Sequence, residues 1–316
     1  MLKKEFTMKK YKVIIDTDPG VDDSTCLTFA FFDEKLDIKL LTTVSGNVSI
    51  EKNTRNLLHL LDKFRKDYPV AVGTDKPLIR PAKRAEYIHS KNGLGGYIPP
   101  ETTVHQPIKE DAVEAMYKIL KDGNGDITPL VLGPHTNIAT LLIKHPDIVE
   151  KIPKIIFMGG SPSDVPGFTN HISFNISSDP ESFKIVLESG IPLIMIPYDM
   201  GRKHSYLSEE FVENLNGMND VANFLYTMFK TYWEPNFPDK RIAMNDTCAY
   251  MYLRYKNLFK CKRANVTVDT ELEPGKTYVD FNKHGNVLIT VGLKRKKFLK
   301  IITKKLKDFD NFKFDN

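Results

Sequence analysis

The chain has 316 residues, enough for one large α/β domain, with 41% hydrophobic and 27% charged residues, an ordinary globular balance. No apolar run approaches the ~20 residues that a membrane helix needs, and the basic start lacks the apolar segment of a secretory signal. The net charge of +5 does not indicate a nucleic-acid binder, because eight basic residues crowd between Lys294 and Lys307 and the remainder is net acidic.

In chain order, Val13-Ile14-Ile15 reads as a buried strand that Pro19-Gly20 turns into a helix carrying Leu27, Phe29, Ala30 and Phe31. Residues 38–44 predict a second strand, ending at Ser45-Gly46-Asn47, and a helix with Leu57, Leu58, Leu61 and Phe64 follows. Residues 69–73 predict a short strand. Residues 74–106 show little periodicity, which predicts a functional loop or lid. Alternation resumes with a helix near 109–121, a strand over 129–132 and a helix from Thr136-Asn137. A strand over 155–158, a helix near 180–189 and a strand over 192–196 complete this part. Residues 207–256 look mainly helical, and residues 264–292 predict antiparallel strands around Pro274-Gly275. The basic segment predicts a docked C-terminal helix with Phe298, Ile301, Ile302 and Leu306 facing the core. We expect α/β architecture: a mostly parallel sheet flanked by helices, a small antiparallel section near the C-terminus, and a single domain over 1–316.

The segment Asp16-Thr17-Asp18-Pro19-Gly20-Val21-Asp22-Asp23 places four carboxylates within eight residues at a strand end. Ligands bind at the carboxyl ends of strands in open α/β sheets. So many like charges repel unless a cation holds them, and oxygen-only donors suit Ca²⁺ or Mg²⁺. Helix capping by Asp22, Asp23 and Ser24 is the alternative, but it leaves Asp16 and Asp18 unexplained. Cys26, Cys248 and Cys261 are too scattered for a disulfide framework or a zinc site. That fits a cytoplasmic protein.

Six motifs in order resemble the inosine–uridine-preferring nucleoside hydrolase family over residues 13–249. They are the Asp16–Asp23 signature, Ser45-Gly46-Asn47, residues 132–139, Met158-Gly159-Gly160, Phe174-Asn175 with Asp179-Pro180-Glu181, and finally Asn245-Asp246 as a closing element. The resemblance implies a Rossmann-like nucleoside hydrolase fold and hydrolysis of the N-glycosidic bond of ribonucleosides. It implies a Ca²⁺ held by Asp18, Asp23, Asp246 and the Leu132 carbonyl, with Asp18 activating water. Asp22 and Asn175 would hold the ribose 2′-hydroxyl and Asp246 also the 3′-hydroxyl. Asn47 and Met158 would line the ribose pocket, and Asp16 would support the loop. His89 resembles a lid histidine that faces the base. A homodimer or homotetramer is expected by the same analogy.

Three positions depart from the family pattern. Asn245 stands where many members carry a His that protonates the leaving base. Ser173 and Gly167 replace the Glu and Asn that read the 5′-hydroxyl, leaving Asn170 as a nearby amide. Tyr232 and Trp233 either stack on the base, which would favour a purine, or serve the core or surface, and the expectation is a ribonucleoside hydrolase that leans to purines or acts on a nucleoside modified at C5′. His135 replaces a usually apolar residue. Two rivals remain: a non-catalytic ribosyl- or nucleoside-binding protein that keeps the metal cup, and an aspartyl-nucleophile phosphotransferase. The second is disfavoured by Gly20, where that class wants Thr or Val.

Overall fold

The computed structural model describes residues 10–163, 165–232, 240–282, 285 and 287–315. The first half runs β1 (Tyr11–Thr17), α1 (Val21–Phe31), β2 (Leu36–Thr43), α2 (Ile50–Phe64), β3 (Val70–Val72), α3 (Glu86–His89), α4 (Ala112–Asp122), β4 (Thr128–Val131), α5 (Thr136–Lys144) and β5 (Ile155–Met158). The second half runs α6 (Phe174–Ser178), α7 (Pro180–Glu188), β6 (Leu193–Ile196), α8 (Tyr198–Lys203), β7 (Leu207–Ser208), α9 (Glu209–Glu213), α10 (Asp220–Phe229), β8 (Arg241–Ile242), α11 (Asn245–Tyr255), β9 (Phe259–Val268), β10 (Thr277–Asp280), β11 (Val287–Leu293) and α12 (Arg295–Lys307).

The central sheet has the order β10-β9-β11-β6-β5-β4-β1-β2-β3. From β1 the chain steps outward to β2 and β3, then returns to lay β4, β5 and β6 on the other side, all parallel. The carboxyl ends of β1 and β4 therefore flank the switch point of the topology, where open α/β sheets leave a crevice. Both faces of the sheet are covered, which is why its strands read as unbroken apolar runs. Val13, Ile15, Leu130 and Ile156 pack toward α1, α2, α10, α11 and α12. Ile14, Val131, Ile155 and Phe157 pack toward α4, α5 and α7.

Most elements fall where the sequence places them, including the antiparallel hairpin of β9 and β10, with Gly275 at φ +95° in its turn. One pairing differs from expectation. β11 is antiparallel to β9 but parallel to β6, so it joins the C-terminal section to the main sheet. Among the described residues between 207 and 256, α9, α10 and α11 dominate, and the two-residue strands β7 and β8 pair with each other. On α12, Phe298, Ile302 and Leu306 are buried as expected, and Lys305 also turns inward to Asp33 at 3.5 Å.

Candidate active site

Asp16, the next-to-last residue of β1, is wholly buried and braced from both neighbours. Its Oδ1 accepts from Thr42 Oγ1 on β2 at 2.6 Å and from Asn137 Nδ2 on α5 at 2.8 Å. Asn137 also donates to the Thr43 carbonyl and accepts from the Thr74 amide, each at 2.9 Å. One amide thus ties β1, β2 and the chain after β3 beneath the turn. Burial pushes Asp16 up to about 7, against the pull of those two hydrogen bonds.

Above it the acidic turn folds on itself. Asp23, in the first turn of α1, accepts from Thr17 Oγ1 at 2.6 Å, the Gly20 amide at 3.2 Å and Asn47 Nδ2 at 3.1 Å. Asp18 Oδ2 accepts from the Asn47 amide at 2.7 Å, while its Oδ1 is buried without a partner. Gly46 and Gly133 are required here for space. A Cβ at either would lie 2.0 Å or 2.6 Å from an Asp18 carboxylate oxygen. Asp246, in the first turn of α11, also has a buried Oδ1 with no partner.

Asp22, Asp23 and Asp246 each offer an oxygen, and these three atoms lie within 4.8 Å of one another. Two oxygens bound to one Ca²⁺ at ~2.3–2.6 Å cannot be much farther apart than this. Burial raises the pKa of all four acids, reinforced at Asp18 by Asp23, at Asp22 by Asp23, and at Asp246 by Asp22. A cation among them would reverse that balance and favour the charged forms. The orphaned oxygens of Asp18 and Asp246 and the all-oxygen donor set fit a hard divalent metal. Asp18 lies outside the closest triad, and Asp22 belongs to it.

A cavity of about 230 Å³ opens over this floor. Asp22, Asp23, Asp246, Asn47 and Leu132 form its base, and Met158 and Asn175 form one side. Asn175 Nδ2 donates to the Leu132 carbonyl and, at 3.3 Å, to that of Met158, which links the ends of β4 and β5 to α6.

His89 is buried at the end of α3, stacked on Tyr232 with ring centroids 5.1 Å apart. Its Nδ1 accepts from the Val21 amide at 3.1 Å, so the ring proton sits on Nε2. Burial pushes its pKa down to about 3. It is therefore a neutral donor and not a reservoir of protons.

The opposite wall differs from expectation. Asn170 is exposed and does not line the cavity, whereas its neighbour His171 does, stacked on Tyr198 with centroids 4.0 Å apart. Gly167 is exposed at φ +89°, and Ser173 is buried at the start of α6, facing the cavity. The loop before α6 is held by Asp199, which accepts from Ser161 Oγ at 2.5 Å and the Thr169 amide at 2.9 Å. Asn245 lines the cavity with its Oδ1 buried against Gly201, where a Cβ would come within 1.8 Å. Trp233 lies outside the described residues. Sequence reasoning missed His171, Tyr198 and Asp199, which sit in short or aperiodic segments. Asn137, by contrast, lies within the motif of residues 132–139, but its bracing of Asp16 is a long-range contact with no local signal.

These features describe a parallel α/β protein whose switch-point crevice holds an acidic floor under a small cavity. The chain belongs to the inosine-uridine preferring nucleoside hydrolase family, whose model matches residues 13–304. It is 36% identical over 272 residues to the non-specific ribonucleoside hydrolase RihC of Salmonella typhi, covering 85% of this chain and 87% of that protein. Among solved structures it resembles a plant nucleoside hydrolase at 26% identity and TM-score 0.86, over 94% of this chain and 99% of that one. It also resembles a purine-preferring ribonucleoside hydrolase from Gardnerella vaginalis at 26% identity and TM-score 0.86, over 96% and 100%. The protein is thus a glycosyl hydrolase that acts on nucleosides. Among the described residues no helix is long and apolar enough to cross a membrane.

Proposed function

We propose that this hydrolase splits ribonucleosides into ribose and free base with Ca²⁺ as its cofactor and Asp18 as the residue that activates water. The observation that carries this reading is the buried carboxylate cluster, with unpartnered oxygens on Asp18 and Asp246, directly under the cavity. Ca²⁺ held by Asp18, Asp23, Asp246 and the Leu132 carbonyl, with Asp22 beside it, would supply Lewis acidity toward the ribose diol and the attacking water.

The protein's own groups do the rest. Asp18, fixed through the Asn47 amide, accepts the proton of the attacking water at Oδ1. Asp22, Asn175 and Asp246 bind the ribose 2′- and 3′-hydroxyls, with Asn47 and Met158 shaping the sugar pocket. The acidic floor favours positive charge as it develops on the ring.

Base departure relies on stacking and neutral donors. Asn245 cannot act as an acid and His89 stays neutral, so a base that accepts a proton readily from solvent, a purine, leaves best. Tyr232, His89 and the His171–Tyr198 pair supply the aromatic surface; Trp233 is proposed to join them. Among the described residues the wall by Ser173 carries no carboxylate for a 5′-hydroxyl, which supports a substrate modified at C5′. We place the enzyme in the cytoplasm, in purine and pyrimidine salvage, as a homodimer or homotetramer. Asn245 favours the second reading, a nucleoside-binding protein without turnover.

Ribose release by the unaltered protein separates the two readings, and Asp18→Asn then tests the proposed base. The substitution should lower ribose release by at least ~100-fold, the low end of general-base contributions, while circular dichroism stays native. Retained turnover would remove Asp18 from the chemistry.

A further inference from the structure

At the opposite end of the sheet from the active site lies a second cavity, of about 560 Å³, within the range of small-molecule sites. It is bounded by Tyr11 at the start of β1, Lys154 just before β5, the C-terminal end of α11 and the start of α12. Its charged lining is entirely basic: Lys154, Arg254, Lys256, Lys294 and Lys297, with no Asp or Glu among the lining residues.

These cations are not equivalent. Arg254 is paired with Asp33 at 2.8 Å, and Lys294 Nζ donates to the Asn257 carbonyl at 3.0 Å. Lys154, Lys256 and Lys297 make no side-chain hydrogen bond or ion pair with the described residues. Lys154 is half-buried, and both burial and the charge of Lys256 work against its ammonium form. The first turn of α12 sharpens the mismatch. Lys297 lines the cavity from it, and this turn holds neither an acid nor a capping side chain, although the positive end of a helix dipole disfavours cations. A fold that gathers unpaired cations against a helix N-terminus, around a cavity, gains from an anion placed among them.

We propose that this cavity is a second ligand site, separate from the hydrolytic one, and that it takes a polyphosphate anion. The anion is either free or carried on a nucleotide. Tyr11 stands 42% exposed at the rim with the Arg254 guanidinium 4.9 Å from its ring centroid, which gives a nucleotide base a surface to stack on.

The test is calorimetric titration of the full chain with inorganic tripolyphosphate, and separately with a nucleoside triphosphate, at fixed ionic strength and with divalent cation in excess. Lys154→Gln/Lys297→Gln should weaken binding at least tenfold. The charge-matched control Lys300→Gln/Lys304→Gln, on the exposed side of the same helix, should leave binding within twofold. A nucleotide binding tighter than tripolyphosphate assigns the site to nucleotides, and equal binding assigns it to the free anion. No binding by the unaltered protein overturns the proposal. So does an equal loss in both doubles, which indicates diffuse charge attraction, or a loss in neither, which places the ligand elsewhere. None of these outcomes bears on nucleoside hydrolysis, which is read independently as ribose release.

Discussion

His135 shows how a single residue can sit against the grain of its surroundings. It is fully buried at the start of α5 with both ring nitrogens unpartnered, 4.9 Å from the rings of Phe157 and Phe183. An unsatisfied buried polar group costs about 1–3 kcal/mol. His135→Leu should therefore raise stability by about that amount in a denaturant titration near pH 7, without loss of turnover. Its folded pKa is lowered to about 3 from 6.5, so the unfolded chain takes up a proton that the native state refuses as pH falls below 6.5. The gain should therefore grow toward pH 5. A destabilised variant would show that the imidazole has a partner. The sequence marked this position as odd but not its cost, because that depends on what surrounds the ring.

At the scale of elements, the segment expected to be a lid is pinned on its inner side. The Ala85 amide donates to the Asn47 carbonyl at 2.9 Å, Lys52 pairs with Glu86 at 2.9 Å, and Asn56 Nδ2 donates to the Pro19 and Asn92 carbonyls. Ser90, right after His89, is held at φ +68° and ψ +166°, a region that essentially only glycine occupies and that costs about 1–3 kcal/mol. Ser90→Gly relieves this strain and adds about 0.4–1 kcal/mol of unfolded-state entropy. The net expectation is a rise in the denaturation midpoint, and a fall would show that the serine hydroxyl makes a compensating contact. The strands and helices around the site were legible because their apolar periods match their burial. α3 was not, since four residues carry no period. β11 was seen as a strand, but its parallel pairing with β6 is a long-range choice that no local pattern records. The acidic turn of Asp16 to Asp23 was legible from charge crowding, whereas Asp246 entered only through the family resemblance. The wall of His171 and Tyr198 was not, because it is assembled by a loop and a six-residue helix.

The whole molecule gathers buried acids at the switch point of one sheet, and its stability should carry their signature. Asp16 and Asp22 are raised to about 7 in the fold, from the usual 3.8. Between those values the metal-free native state keeps protons that the unfolded chain has lost, so stability falls as pH rises. With a chelator present, the denaturation midpoint should be lower at pH 8 than at pH 6.5. Added Ca²⁺ should restore more of it at pH 8 than at pH 5.5, because only ionised carboxylates bind the ion well. Buried His59, His89 and His135 push the other way below 6.5, so a midpoint that does not fall between pH 6.5 and pH 8 would mean that these carboxylates are not opposed by burial as described.

If the buried cluster holds the catalytic metal, nucleoside hydrolysis by this chain depends on it. That dependence is tested most directly by measuring free ribose released from inosine, adenosine, uridine and cytidine, before chelation, after chelation, and after Ca²⁺ is returned. The expected result is ribose from purine nucleosides first, loss of release on chelation and recovery with Ca²⁺. Undiminished release after complete removal of divalent cations would contradict it.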